Sequence, residues 1–570
     1  MLTELDKAQD AAVAAITADG TQMEVGEVEV RGARLPVFTN APPSMREYFD
    51  FFFMANGAKE FTVYEDERRT FAEIFAEAKA IASVLQHEFG IAKGDRVAIA
   101  MRNFPEWISA FVGGLYLGAV VVPLNAWWTA EELEYGLDHS GTRLVIADEE
   151  RLKRVRDAVG DAIPVIAVRT GSAIAERLNA RPWKEAIAAN PPEPWYLPPI
   201  GPEDDATLMY TSGSTGHPKG AVSTHRGIVH GAMNYIVQGL AMLTLAEAAG
   251  TELPEQQITL LNVPLFHITG SVPVLLVSIA IGRKLLIMYK WDAGEALRLI
   301  QDEKATYFVG VPTMSLELLQ HPDRDRYDLS SLVDIAAGGA PRPAEHVRRI
   351  SAEMGKSPAI GYGLTETNGV GAGNIRDNYI AKPTSTGRAS KPVVEIGIRD
   401  DDLNMVAEGE RGEICIRSAA NVRGYWRNPQ ATAEAFPGDG WFHTGDIGYL
   451  DEDGYLYIVD RKKDIIIRGG ENIAAQEVEA AIYGHPAVAE TSVFGLPDDR
   501  MGEIVGAVVY LKPGEEVDAD ALNEAAREDL AAFKVPARMW IVKEPLPKLG
   551  SGKIDKVSLR SEYQAKHAAA

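Results

Sequence analysis

Four short apolar runs constrain the fold most. Arg96-Val-Ala-Ile-Ala100, Val120-Val-Val-Pro-Leu124, Arg143-Leu-Val-Ile-Ala147 and Pro164-Val-Ile-Ala-Val168 have the length and β-branched content of buried strands. They alternate with helix-like stretches such as Phe71 to Phe89. Strands that are apolar on both faces need helices on both faces, so the alternation predicts an α/β chain of layered, mostly parallel sheets. Trp107 to Ala130 carries no charge and is long enough to span a bilayer. Gly113, Gly114, Gly118, Pro123 and Asn125 interrupt it, so it reads as a core helix followed by a strand. At 570 residues the chain exceeds one hydrophobic core, which predicts a large domain and a smaller one.

The proline-rich connector 190–202 leads into Tyr210-Thr-Ser-Gly-Ser-Thr-Gly-His-Pro-Lys-Gly220. Glycines admit phosphate oxygens to backbone N–H groups, Ser212, Ser214 and Thr215 offer hydroxyls, and Lys219 adds a positive charge. The segment reads as a phosphate cradle between an apolar run and a helix-like stretch. It is not a Walker loop, because Pro218 precedes the lysine and Gly220 follows it. Further on stand Gly361-Tyr-Gly-Leu-Thr-Glu366, Trp441-Phe-His-Thr-Gly-Asp446, Asp460-Arg-Lys-Lys-Asp464, Arg468-Gly-Gly-Glu-Asn-Ile473 and Gly550-Ser-Gly-Lys-Ile554. The first of these fails the dinucleotide fingerprint, since Glu366 stands where its last glycine belongs. The polar, glycine-broken stretch 246–257 reads as a surface excursion between core elements.

From about Gly424 the texture changes. Asp451-Glu-Asp-Gly454 is a turn between two strand-like runs, and the continuous charge of 460–464 predicts a solvent-exposed joint. The expected division is 1–459 as the N-terminal domain, 460–464 as a hinge and 465–570 as a small, mobile α+β C-terminal domain. The formal net charge of −24 argues against broad nucleic-acid binding, so any nucleotide is expected to be held by a local site. The single cysteine, Cys415, excludes an internal disulfide and reads as a packing residue in a strand. Acidic Glu4, Asp6 and Asp10 do not make a secretory signal, and a cytoplasmic location is expected.

In this order the motifs resemble the adenylate-forming superfamily, in its branch of AMP-dependent acyl-CoA synthetases. The resemblance runs from about Tyr210 to Lys553 and implies ATP, Mg²⁺ and CoA as co-substrates and cofactor. It implies Thr211, Ser212, Gly213, Ser214, Thr215, Gly216 and Lys219 around the phosphates. Gly338, Gly339, Ala340, Tyr362 and Gly363 would hold the adenine, with Thr365 at the phosphate and Glu366 as the Mg²⁺ ligand. Asp446 and Arg461 would take the ribose. Lys553, following two glycines, would be the adenylation lysine, with Lys548 and Lys556 as nearby alternatives. Lys463 would be the pivot of a domain alternation that turns Arg468, Gly469, Gly470 and Glu471 toward CoA. Ala475 departs from the family, which commonly has proline there.

For the acid, the resemblance places Tyr235, His267, Ser271, Val309, Gly310, Gly338, Gly363 and Val370 along the acyl pocket, with His267 at its carboxylate end. Relatives that activate amino acids carry an aspartate in this segment to hold the ammonium, and here there is none. A buried ammonium without a partner is costly, so an uncharged acid is favoured. The expectation is an AMP-forming acid:CoA ligase for a medium- or long-chain fatty acid, within fatty acid metabolism. Aryl or bulky-ring acids, and loading of a free carrier protein, are its enzyme alternatives. A silent nucleotide-binding scaffold is the non-enzyme one. Expected partners are small molecules, with no nucleic acid and no transmembrane segment. Peripheral membrane contact and a homodimer are compatible with the sequence.

Overall fold

The computed structural model describes residues 2–211, 218–251, 254–548 and 554–569. The chain divides into two compact units, one of 1–396 with 416–442, the other of 397–415 with 443–570.

The first unit holds two large sheets. In the eight-stranded sheet the order is Gly424–Tyr425, Lys219–Thr224, Asp205–Thr211, Val120–Pro123, Arg96–Ala100, Leu144–Asp148, Val165–Val168 and Arg181–Pro182. All four runs singled out in the sequence are adjacent parallel strands of this sheet. The nine-stranded sheet runs Arg388–Ala389, Gly371–Ile375, Ser357–Gly363, Asp334–Gly338, Tyr307–Gly310, Ile258–Leu261, Lys284–Ile287, Glu60–Tyr64 and Glu67–Thr70. Its middle is parallel and its two margins are antiparallel.

Local chemistry sets the helices. Thr70 Oγ1 accepts from the Glu73 N–H while a Glu73 carboxylate oxygen accepts from the Thr70 N–H, a capping box that starts the Phe71–His87 helix. Pro105 opens the next helix, and Gly118, in the left-handed region, closes it. That helix is buried throughout and leads into the buried strand Val120–Pro123, so the uncharged run is core. Phe53 stacks on Phe75 at 4.8 Å and Phe61 on Phe71 at 4.0 Å beneath it. Each fully buried ring stabilises by about 1.5–3 kcal/mol. The helix His225–Ala248 is long and apolar enough to cross a membrane, and 56% of its apolar window is buried inside the protein. Its last turn takes in 246–248, so the surface excursion expected from 246 begins later.

The second unit takes most of the strands Gly412–Ser418, Trp441–Leu450 and Leu456–Arg461, the last two joined through the 451–454 turn. It continues with the hairpin Ile466–Arg468/Glu471–Ile473 and the long antiparallel pair Val488–Asp498 and Gly502–Leu511. The strand Arg538–Val542 pairs in parallel with Gly502–Leu511. The helices Ala475–Tyr483, Ala519–Ala526 and Lys556–Ala568 complete an α+β body. Cys415 is buried in its strand.

Candidate active site

Three parallel strands of the first unit end side by side. Gly310 pairs with Ala337, and Gly338 with Gly361. Val309, Gly310, Gly338, Tyr362 and Gly363 therefore gather at the carboxyl edge of the sheet, where α/β folds bind ligands. Gly339 comes next with φ +76°, the left-handed region that glycine tolerates, and then Ala340. A Cβ on Gly363 would run into the Gly369 carbonyl oxygen, so only glycine fits. Tyr362 is half-buried at this edge.

Beyond Gly363 the chain turns into a short 3₁₀ segment, Thr365–Thr367, that carries Glu366 into the interior at 8% exposure. The Tyr425 hydroxyl donates to Glu366 Oε1 at 2.9 Å, and the Val422 N–H donates to the Glu366 carbonyl. Tyr425 sits on the short strand paired with Lys219–Thr224, and Lys219 Nζ lies 5.1 Å from the centre of its ring. Cation, phenol and carboxylate thus form one array. Sequence reasoning misses Tyr425, because the Gly424-Tyr-Trp426 run that holds it gives no sign of its long-range pairing with Lys219–Thr224.

Thr211 faces Lys219 across an antiparallel ladder, with Thr211 Oγ1 donating to the Lys219 carbonyl at 3.4 Å. The segment after the cradle is a strand, not the helix expected from the sequence; the helix begins only at His225. In the chain, then, the described residues on either side of 212–217 belong to two antiparallel strands, and the helix follows only after the second. Ser212, Gly213, Ser214, Thr215 and Gly216 lie outside the described residues, as does Lys553.

The acyl candidates line up behind this edge. Tyr235, on the His225–Ala248 helix, donates its hydroxyl to the Gly369 carbonyl at 2.5 Å, and burial raises its pKa well above the usual tyrosine range. His267 is half-buried in the turn after Ile258–Leu261. Its carbonyl accepts the N–H groups of Gly270 and Ser271 as the chain enters a π-helical turn, Gly270–Leu276, that accommodates Pro273. The Ser271 hydroxyl donates to the His267 and Ile268 carbonyls, so its proton is used by the backbone. Val370 is buried, its carbonyl accepting from Thr367 Oγ1.

The second unit carries the remaining candidates. Asp446 and Arg461 are cross-strand partners, and Arg461 Nε lies 3.0 Å from Asp446 Oδ1. Residues 461–463 are exposed, but Asp460 is buried at 1% exposure, contrary to the expectation of a solvated run. Its carboxylate accepts the N–H of Arg461 at 2.7 Å and that of Gln476 at 3.2 Å. Gln476 is in the first turn of the Ala475–Tyr483 helix, whose N-cap, Ala474, supplies no side-chain bond, so Asp460 does the capping from a distance. Burial raises its pKa to about 6. Ala475 opens that helix, the position where a proline is tolerated best.

Arg468 pairs with Glu471 across a two-residue turn in which Gly469 and Gly470 have φ of +60° and +90°. Two left-handed residues in a tight hairpin explain the glycine pair through the backbone itself. Arg468 Nη1 donates to the Phe533 carbonyl at 3.0 Å. Both alternatives to Lys553 are engaged, Lys548 with Glu490 at 2.7 Å and Lys556 with Glu479 at 2.8 Å.

Among the described residues no group of three or more His, Cys, Asp or Glu could by itself hold a metal. Mg²⁺ needs only one or two protein carboxylates beside phosphate oxygens, and a buried Glu366 held by a neutral phenol suits that role.

Comparison with known proteins fits this arrangement. Residues 53–426 match the family model of the AMP-binding enzymes, and 477–553 that of the AMP-binding enzyme C-terminal domain. A long-chain-fatty-acid–CoA ligase of Bacillus subtilis (strain 168) is 35% identical over 529 residues, covering 88% of this chain and 91% of its own. A feruloyl-CoA synthase of Amycolatopsis sp. is 35% identical over 494 residues, covering 87% and 94%. The crystal structure of an anthranilate CoA ligase in complex with anthranoyl-AMP superposes with a TM-score of 0.80 at 26% identity, covering 93% and 99%. The chain belongs to the AMP-binding enzyme family, in the acyl-CoA synthetase branch of the adenylate-forming superfamily, and is an AMP-forming acid:CoA ligase.

Proposed function

We propose that the enzyme activates an apolar carboxylic acid, a medium- or long-chain fatty acid, by way of an acyl-adenylate, and then passes the acyl group to CoA. The observation that carries this reading is the Lys219–Tyr425–Glu366 array. In the first half-reaction a carboxylate oxygen forms a bond to the α-phosphorus of ATP while the bond to pyrophosphate breaks. Two anions meet in this step, so fixed positive charge and hydrogen-bond donors are the main need. Lys219 and the loop hydroxyls take the departing pyrophosphate. Glu366 would hold Mg²⁺, which when bound would neutralise phosphate charge. Tyr362 stacks on adenine, Asp446 accepts from the ribose hydroxyls, and Lys553 bridges carboxylate and α-phosphate.

In the second half-reaction the CoA thiol attacks the acyl carbonyl and AMP leaves. The domains are 1–459 and 465–570, alternating about Lys463, with the 468–471 hairpin approaching CoA. An aryl or ring acid is the second reading, because relatives named for a long-chain fatty acid and for a ferulic acyl group are equally similar. A panel of aliphatic, aryl and ring acids with ATP, Mg²⁺ and CoA tests the proposal. Acid-dependent AMP, pyrophosphate and acyl-CoA in equal amounts are expected. Thioester formation with ADP as the nucleotide product, or no product from any acid, would refute it.

A further inference from the structure

The face of the nine-stranded sheet that carries Val309 changes character at its far end. Side chains alternate across a sheet, so Arg283 shares a face with Leu285 and Ile287, and Tyr307 shares one with Val309. Leu285, Ile287 and Val309 all belong to the core cluster that also includes residues of the His225–Ala248 helix, and Tyr235 and Tyr307 pack against that cluster. Lys284 points to the other face, where it pairs with Glu60 and Glu303. Arg283 is therefore directed inward, toward the side from which Tyr235 descends.

There its guanidinium lies 5.1 Å from the centre of the Tyr307 ring, and Nη2 donates to Gln257 Oε1 at 3.2 Å. Nε is buried and has no acceptor among the described residues. Arg283 is 9% exposed, and among the described residues no carboxylate pairs with it. A charge in such a place is costly unless something accepts from it. Tyr235 and Tyr307, both packed against the same cluster, are each half-buried.

Building on the acid:CoA ligase reading above, we propose that Arg283 forms the floor of the acyl channel and binds an oxygen acceptor at the far end of the acid. The preferred substrate is then a medium- or long-chain acid that carries a carbonyl or second carboxylate at its far end. Tyr307 lies three residue steps before Gly310, so the remote oxygen stands roughly 10 Å below the carboxyl edge of the sheet. Arg283 is a specificity residue in this account; it touches no reacting atom.

The test compares kcat/KM for decanoate with that for sebacate, its dicarboxylate counterpart, and with decanoate bearing a ketone beside the terminal methyl, in wild type and Arg283→Met. A hydrogen bond to a charged group corresponds to a preference of about 10- to 100-fold for at least one oxygenated acid in wild type. In Arg283→Met that ratio should fall to one or below. Preference for sebacate would mark an anionic acceptor and preference for the ketone a neutral one, and either supports the proposal. Equal or better use of decanoate by wild type would overturn it, and the wild-type ratio decides this even if Arg283→Met fails to accumulate. A ratio unchanged by the substitution would also overturn it. No turnover of any acid would instead sink the ligase reading, which keeps the two failures apart.

Discussion

Replacing Tyr425 with phenylalanine deletes one atom at the centre of the array. Its hydroxyl is 2.9 Å from Glu366 Oε1, and Glu366 is 8% exposed, so little water is at hand to replace the lost donor. A hydrogen bond to a charged group is worth about 1.5–3 kcal/mol, which corresponds to a loss of about 10- to 100-fold if the bond is needed to orient the carboxylate proposed to hold Mg²⁺. The aromatic ring, 5.1 Å from Lys219 Nζ, survives in Tyr425→Phe. The defect should therefore appear in Mg²⁺ dependence rather than in ATP affinity. Tyr425→Leu removes the ring as well and should lose a further contribution of about 0.5–2 kcal/mol, felt at Lys219. Exchange of labelled pyrophosphate into ATP, measured over a Mg²⁺ titration, reads both effects. A Tyr425→Phe enzyme with wild-type rate and wild-type Mg²⁺ half-saturation would refute the reasoning.

The geometry carries two further outcomes. Asp460 has a folded pKa of about 6 against an ordinary 3.8, so between these values the folded chain holds a proton that the unfolded chain has released. Stability should fall by about 3 kcal/mol as pH rises from about 4 to about 6 through this group, and Asp460→Asn should flatten that slope in urea melts; parallel slopes would contradict the assignment. Gly363→Ala puts a Cβ against the Gly369 carbonyl, a backbone atom that cannot swing away, and should cost on the order of 3 kcal/mol, seen as a lower Tm together with weaker AMP binding. An unchanged Tm would show that the turn after Gly363 is looser than described.

How much the sequence disclosed depended on the range of the interaction. Strand and helix alternation is local, and the runs at 96–100 and 120–124 became adjacent strands because their side chains suit a sheet covered on both faces. Motif order pointed to the family, and the register of Gly310, Gly338 and Gly361 brought part of the expected site to one edge. Features that depend on distant partners stayed hidden. Lys219–Thr224 is a strand because it pairs with 205–211 and 424–425, and nothing within six residues signals that. Asp460 looked like part of a solvated run because its capping role depends on a helix end at 474–476. Arg283 is an ordinary arginine in the sequence, and only the pairing of strands 258–261, 284–287 and 307–310 shows the face it occupies.

The central claim is a reaction in two halves, with Lys553 serving only the first. Lys553→Ala should be assayed twice, for acid-dependent exchange of pyrophosphate into ATP and for CoA thioester formation from supplied acyl-adenylate. The account predicts that exchange disappears while thioester formation continues at close to the wild-type rate. Equal loss of both steps, or exchange that persists in the variant, would contradict it.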